Sequence, residues 1–257
     1  MLKFRTVILL FSALCCSFLF AQNEKPNFIV VMADDLGFGD LGIYGSALIE
    51  TPNLDRMAKE GIYFNSFYAS ANVCTASRGG LLTGRYPVRL NLVADVARPS
   101  NEIHLYESEI TIAEALKEEG YNTALIGKWH LGSRVDWYPL NHGFDEFYGA
   151  LHSNDMTPFK LYRDDKVIED PVDQTTITQR YTSEALSFIE KNQENPFFLY
   201  IPHSFPHVPL FVSEEFEGKS EAGLYGDVVE TIDWSMGEIL NKLEDLGLDD
   251  NTMVIFT

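Results

Sequence analysis

The chain has 257 residues, with 19 Lys+Arg against 38 Asp+Glu, a formal net charge of −19, 46% hydrophobic residues and 13% aromatics. That composition excludes a disordered, collagenous or polytopic membrane protein, and one folded unit of this length buries roughly 70–75% of its unfolded surface. The basic residues are scattered, so no face is built for nucleic acid, and an anionic ligand must be met by local positive charge.

In chain order, Lys3 and Arg5 precede an uncharged apolar run over 6–20 that ends in Ala21-Gln22-Asn23. This reads as a secretory signal peptide over 1–21. It is too short to span a bilayer comfortably and is followed by polar sequence, so no stable membrane insertion is expected after cleavage. The expected location is periplasmic or secreted. A lipoprotein signal at Cys15 or Cys16 is the alternative, disfavoured because Phe18-Leu19-Phe20 still follows. Cleavage leaves Cys74 as the only cysteine, which cannot form an internal disulfide.

Beyond residue 26, continuous apolar runs at 27–33, 123–126, 196–201 and 252–257 have the pattern of strands covered on both faces. Between them lie helical patterns at 51–60, 110–119, 179–191 and 221–246. Ile112, Ala115 and Leu116 show the i, i+3, i+4 spacing, and Gly120 follows as a stop signal. The alternation predicts an α/β sheet with helices on both faces. Residues 133–178 carry Pro139, Pro158 and Pro171 without clear periodicity and read as long loops or a small excursion beside the sheet. The chain stops at Thr257 on an apolar strand, a poor ending if the strand is buried, so the expectation is either a fragment of a longer protein or a missing part supplied elsewhere.

Asp34-Asp35 follows the first strand, at the end of an open α/β sheet where ligands bind. Two hard oxygen donors suit Ca2+ or Mg2+, and both reach one ion only if the chain turns there. An acidic turn with Asp as a helix cap is the alternative. The segment Cys74-Thr-Ala76-Ser-Arg78-Gly-Gly-Leu81-Leu-Thr-Gly-Arg85 looks like the opening of a helix. Free N–H groups at a helix start stabilise an anion and acidify a nucleophile. Arg78, four residues on, falls on the face of Cys74. A structural cysteine remains the alternative on these residues alone.

Cys74-x-Ala76-x-Arg78 with Leu81-Leu-Thr-Gly-Arg85 resembles the active-site signature of the type I sulfatases of the alkaline-phosphatase-like superfamily. The segments 26–35, 51–55 (TPNLD), 127–132 (GKWHLG), 142–145 (HGFD) and 206–209 (PHVP) match further family blocks in family order. The resemblance implies a three-layer α/β/α sandwich with a mostly parallel central sheet. Residues 22–257 would form the N-terminal catalytic part, without the C-terminal subdomain. It also implies sulfate ester hydrolysis, on sulfated carbohydrates in many exported bacterial relatives, through Cys74 oxidised to Cα-formylglycine by a formylglycine-generating enzyme or other maturase. One hydroxyl of the hydrated aldehyde attacks sulfur, and the second lets the sulfated enzyme collapse back to aldehyde. Ala76 stands where Pro is commoner in the family.

By the same resemblance Asp34, Asp35 and residue 74 would bind Ca2+, Arg78 would stabilise the hydrate, and Lys128 would hold sulfate oxygens. His130, placed on the side of Lys128 by an extended segment, would act as base, and His207 would protonate the leaving oxygen. The family's Asp-Asn pair and later sulfate-binding Lys lie beyond Thr257, so the chain alone is expected to be inactive or nearly so. His203 and His207 are not read as a helical metal pair, since Pro202, Pro206 and Pro209 oppose a helix. His152, Ser153, Trp137, Arg98 and His104 are candidate pocket residues, while Asp227, Glu230 and Asp233 read as a solvated helix face. A phosphate or phosphonate monoester hydrolase of the same superfamily, or a truncated non-catalytic relative, are the competing functions.

Overall fold

The computed structural model describes residues 25–257; the signal-peptide reading of 1–21 lies outside them. The strands are β1 (Asn27–Met32), β2 (Asn122–Lys128), β3 (Glu146–Ala150), β4 (Leu161–Arg163), β5 (Lys166–Glu169), β6 (Phe197–Pro202) and β7 (Thr252–Phe256). The helices are α1 (Pro52–Glu60), α2 (Cys74–Thr83), α3 (Ile112–Glu118), α4 (Ile177–Lys191) and α5 (Gly223–Leu246). One sheet runs in the order β5-β4-β3-β2-β6-β1-β7. The pairs from β3 to β7 are parallel, and β4 and β5 close one edge antiparallel.

Period-2 alternation sends neighbouring residues of a strand into different layers. Ile29, Val31, Leu199 and Ile201 face α1, α4 and α5 through Leu54, Tyr181, Phe188, Ile232 and Met236. Val30, Leu125, Phe198 and Tyr200 face α2 and α3 through Ala76, Leu82 and Ala113. Two apolar cores therefore sandwich the sheet, which makes the three layers. Parallel strands need crossovers, and the helices between them supply these. All four apolar runs are strands, and all four helical patterns are helices within three residues of their expected ends.

Residues 133–178 are not merely loops. They contain β3, a full parallel member of the sheet, and the β4–β5 hairpin. Gly149 interrupts the apolar pattern of β3 because β2 runs too close for a side chain; a Cβ there would lie 1.8 Å from the Gly127 carbonyl oxygen. Nor is β7 a buried strand. Among the described residues it pairs only with β1, and Met253 and Ile255 are exposed on alternate positions.

The solvated acidic face on α5 is also corrected. Asp227 and Asp233 are both buried, because backbone donors converge on them. Asp227 accepts from the N–H groups of Gly218, Lys219 and Ser220 at 2.8–2.9 Å. Asp233 accepts from Asn53 and Leu54 N–H at 3.2 and 2.8 Å, capping the start of α1 from a distance. Glu230 accepts from Glu50 N–H at 3.1 Å.

Candidate active site

The site is assembled at the carboxyl ends of β1, β2, β3 and β6 and at the start of α2. Asp34 and Asp35 follow β1, Lys128 ends β2, Ser153 follows β3, and His203 and His207 follow β6. The strand ends are tied together by the main chain: His203 N–H donates to Met32 O at 2.8 Å and Asp34 N–H to Phe205 O at 3.0 Å. Cys74 is the first residue of α2 and is half-buried; Val73, the residue capping that end, is extended and offers no side-chain acceptor. The N–H groups of the first turn thus have no side-chain cap, as an anion site requires.

Three buried charges meet beside Cys74. Arg78 comes within 3.3 Å of one Asp34 oxygen, and Lys128 bonds the other. Arg78 is 1% exposed, Lys128 0% and Asp34 4%, so these charges are held without solvent. Burial alone would push the Asp34 carboxyl up, but the charges of Arg78 and Lys128 outweigh it and hold the carboxyl below its usual value. Burial pulls the Lys128 ammonium down; Asp34 opposes that, and Arg78 adds to it. The Arg78 guanidinium also donates to Lys128 O at 2.5 Å and reaches His203 O at 3.5 Å, leaving its Nε unpartnered. The buried triad therefore carries one positive charge in excess, and the exposed Asp35 carboxylate lines the same cavity.

His130 reaches this neighbourhood by a route other than the expected extended segment. β2 ends at Lys128, and His130 turns into the left-handed region at φ 58°. Its main chain is pinned, with N–H donating to Leu151 O at 3.1 Å and its carbonyl accepting the Thr75 hydroxyl at 2.9 Å. Thr75 in turn accepts from Ala97 N–H at 2.9 Å, so residue 130 is strapped to the first turn of α2. Burial, then the Lys128 and Arg78 charges, push the His130 imidazole well below its ordinary value and keep it neutral; both ring nitrogens lack partners.

The expected turn at Asp34-Asp35 is present, with Asp35 at φ 70°. It separates the carboxylates in environment: Asp34 is sealed among cations, while the Asp35 side chain is 65% exposed and lies 3.8 Å from His207 Nε2. Among the described residues no group of three His, Cys, Asp or Glu side chains forms a metal cage. The chain offers a cation two hard carboxylates, one of them already matched by two cations, which is fewer than Ca2+ takes.

Ser153, expected only as a pocket candidate, is central: it is 3.0 Å from Lys128 Nζ and 3.5 Å from the His207 ring. His152 is buried beside Lys128, and burial pushes its imidazole down. His203 is not in a helix with His207; its ring is buried with neither nitrogen partnered, and burial and Arg78 push it down to about 4. A cavity of about 930 Å3 opens over Asp34, Asp35, Cys74, Ser77 and Arg78, and its lining includes Phe38, Tyr44 and Phe67. Trp137, Arg98 and His104 do not line it. Trp137 stacks on His104 at 3.9 Å, and Arg98 pairs with Asp95. Asn154 was not foreseen, because β3, whose carboxyl end it follows, has no clear pattern in the sequence.

The model of the family described as Sulfatase matches residues 26–257. The chain belongs to the sulfatase family. It is 43% identical to the dog (Canis lupus familiaris) N-acetylgalactosamine-6-sulfatase over 91% of the chain and 50% of that protein, and 36% identical to human steryl-sulfatase over 91% and 54%. Among solved structures, a Bacteroides thetaiotaomicron protein from a locus for glycosaminoglycan metabolism superimposes with a TM-score of 0.85 at 32% identity, covering 91% of this chain and 62% of its own. The chain thus spans about half the length of the curated relatives it matches. The three-layer fold is the alkaline-phosphatase-like architecture, and the family generally uses formylglycine and a metal ion.

Proposed function

We propose that the protein carrying this chain is an exported, periplasmic or secreted hydrolase of sulfated carbohydrates, with Cys74 converted to Cα-formylglycine. The observation that carries this reading is the juxtaposition at residue 74: a half-buried side chain on an uncapped helix start, beside a buried Arg78–Asp34–Lys128 cluster with one positive charge in excess. A sulfate ester carries one negative charge, and buried cations shielded from water bind it and its transition state by preorganised electrostatics. The substrate class is supported by the relatives, among them an N-acetylgalactosamine-6-sulfatase and a protein of glycosaminoglycan metabolism.

Oxidised by a maturase, residue 74 would supply a hydrated aldehyde as nucleophile, and a Ca2+ ion held by Asp34, Asp35 and that residue would supply Lewis-acid polarisation. The chain's own groups do the rest. Arg78 orients residue 74 and stabilises charge on it, while Lys128, steered by Ser153, holds a sulfate oxygen. The neutral His130 accepts a proton, and His207 gives one to the leaving oxygen. In the intact protein matured in cells, an aryl sulfate should be hydrolysed in preference to the matching phosphate. Cys74→Ala should abolish this, and Arg78→Met should lower kcat by about 10²–10³. Cleavage of the phosphate but not the sulfate by the matured protein overturns the assignment.

A further inference from the structure

His207 lies in an irregular segment after β6, with no helix or strand to fix its ring. The ring is nevertheless held. Nδ1 is 3.1 Å from Asn154 Oδ1 and 2.6 Å from Val208 O. Both are acceptors, so Nδ1 must carry the hydrogen, and the neutral ring has its lone pair on Nε2. That nitrogen is the one turned toward Asp35 Oδ2, at 3.8 Å.

The orientation of the Asn154 amide is fixed as well. Its Nδ2 faces three acceptors, Pro209 O at 2.8 Å, Gln174 Oε1 at 3.2 Å and His207 O at 3.5 Å, so the oxygen must point the other way, at the imidazole. Gln174 completes a two-way clamp by donating from Nε2 to Asn154 O at 3.2 Å. Asn154 is 3% exposed, so these bonds have no competing water. Gln174 belongs to the short turn that leads into α4, and its side-chain hydrogen bonds go to Asn154.

We infer that Asn154, clamped by Gln174, is a positioning residue that locks His207 as its Nδ1–H tautomer and presents Nε2 as the proton-exchanging atom of the site. This deepens the proposed function and rests on its role for His207. A positioning partner behind a reactive imidazole typically governs 10–100-fold in function, because it sets both ring direction and tautomer. Ser153 joins the two halves: its hydroxyl touches Lys128 Nζ and the His207 ring, so a displaced imidazole also loosens the lysine.

The test pairs spectroscopy with kinetics. Nitrogen NMR of the imidazole, with the ring neutral, should show Nδ1–H alone in the parent and both tautomers in Asn154→Leu. In the intact protein, Asn154→Leu should lower kcat about 10–100-fold with KM within about twofold, and Gln174→Glu should move kcat the same way by about 3–10-fold. Gln174 is half-exposed, so its variant folds even if Asn154→Leu does not. In a His207→Ala background, Asn154→Leu should change kcat less than about twofold. An Nε2–H parent, an unchanged tautomer in both variants, or additive losses overturns the inference. If His207→Ala leaves kcat intact, the proton-donor role fails instead, while the spectra still decide the role of Asn154.

Discussion

Replacing Asp34 by Asn should expose how much the fold depends on its buried charge cluster. The change keeps size but turns one acceptor oxygen into an NH2 donor facing a cation, and it removes the one carboxylate that Arg78 and Lys128 share among the described residues; the two cations are 1% and 0% exposed. At the observed 3.3 Å between Arg78 and Asp34, unit charges at an effective dielectric constant of 20 attract by about 5 kcal/mol. Lys128 can escape by losing its proton, the direction in which burial already pushes it. Arg78 cannot. The loss is therefore about 3–5 kcal/mol, the usual cost of removing one partner of a buried pair, and a large part of a domain's 5–15 kcal/mol. Urea unfolding of parent and variant in chelator measures it. Adding Lys128→Met to Asp34→Asn should recover at least about 1 kcal/mol, because one uncompensated charge is removed. A variant within about 1 kcal/mol of the parent, with no coupling to Lys128→Met, refutes the claim that the three charges act as one unit.

Acid should destabilise the fold well above the carboxylate range. His142 and His203 are pushed by burial to about 4, about 2.5 pH units below an ordinary imidazole. The unfolded chain therefore binds more protons between pH 6.5 and 4, and stability falls as pH drops through that window by about 3 kcal/mol per histidine, of which about 2 is lost by pH 5. A urea midpoint that is flat from pH 7 to 5 contradicts this. Gly149→Ala should cost at least about 3 kcal/mol or prevent soluble expression, because its Cβ meets the Gly127 backbone rather than a side chain that can move; a parent-like melting temperature counts against the β2–β3 register. Asp233→Ala should cost about 1–2 kcal/mol by uncapping α1, measured by urea unfolding, with no change at residue 74.

The sheet was legible where the physics is local. Runs such as NFIVVMA at 27–33 are long enough to show burial on both faces, and helix stops carry their own residues, as with Gly120 at φ 82° just beyond α3. β3 was not legible, because the glycine its close approach to β2 demands breaks its pattern. The burial of Asp227 and Asp233 was hidden for a related reason: spacing shows that acids share a helix face, not that backbone N–H groups come to meet them, from the loop just before α5 for Asp227 and from 180 residues away for Asp233. Asp34, Arg78 and Lys128 meet beside Cys74 at the start of α2. The left-handed turn at His130 and the Asn154–Gln174 clamp were invisible, since both depend on which strand ends lie side by side.

The chemistry proposed for this chain reduces to the identity of one side chain. A mass spectrum of the peptide spanning residue 74, from protein matured in its exporting cell, should show one sulfur and two hydrogens lost and one oxygen gained, with the product reacting as an aldehyde. An intact thiol at Cys74 in protein that hydrolyses sulfate esters would contradict the account.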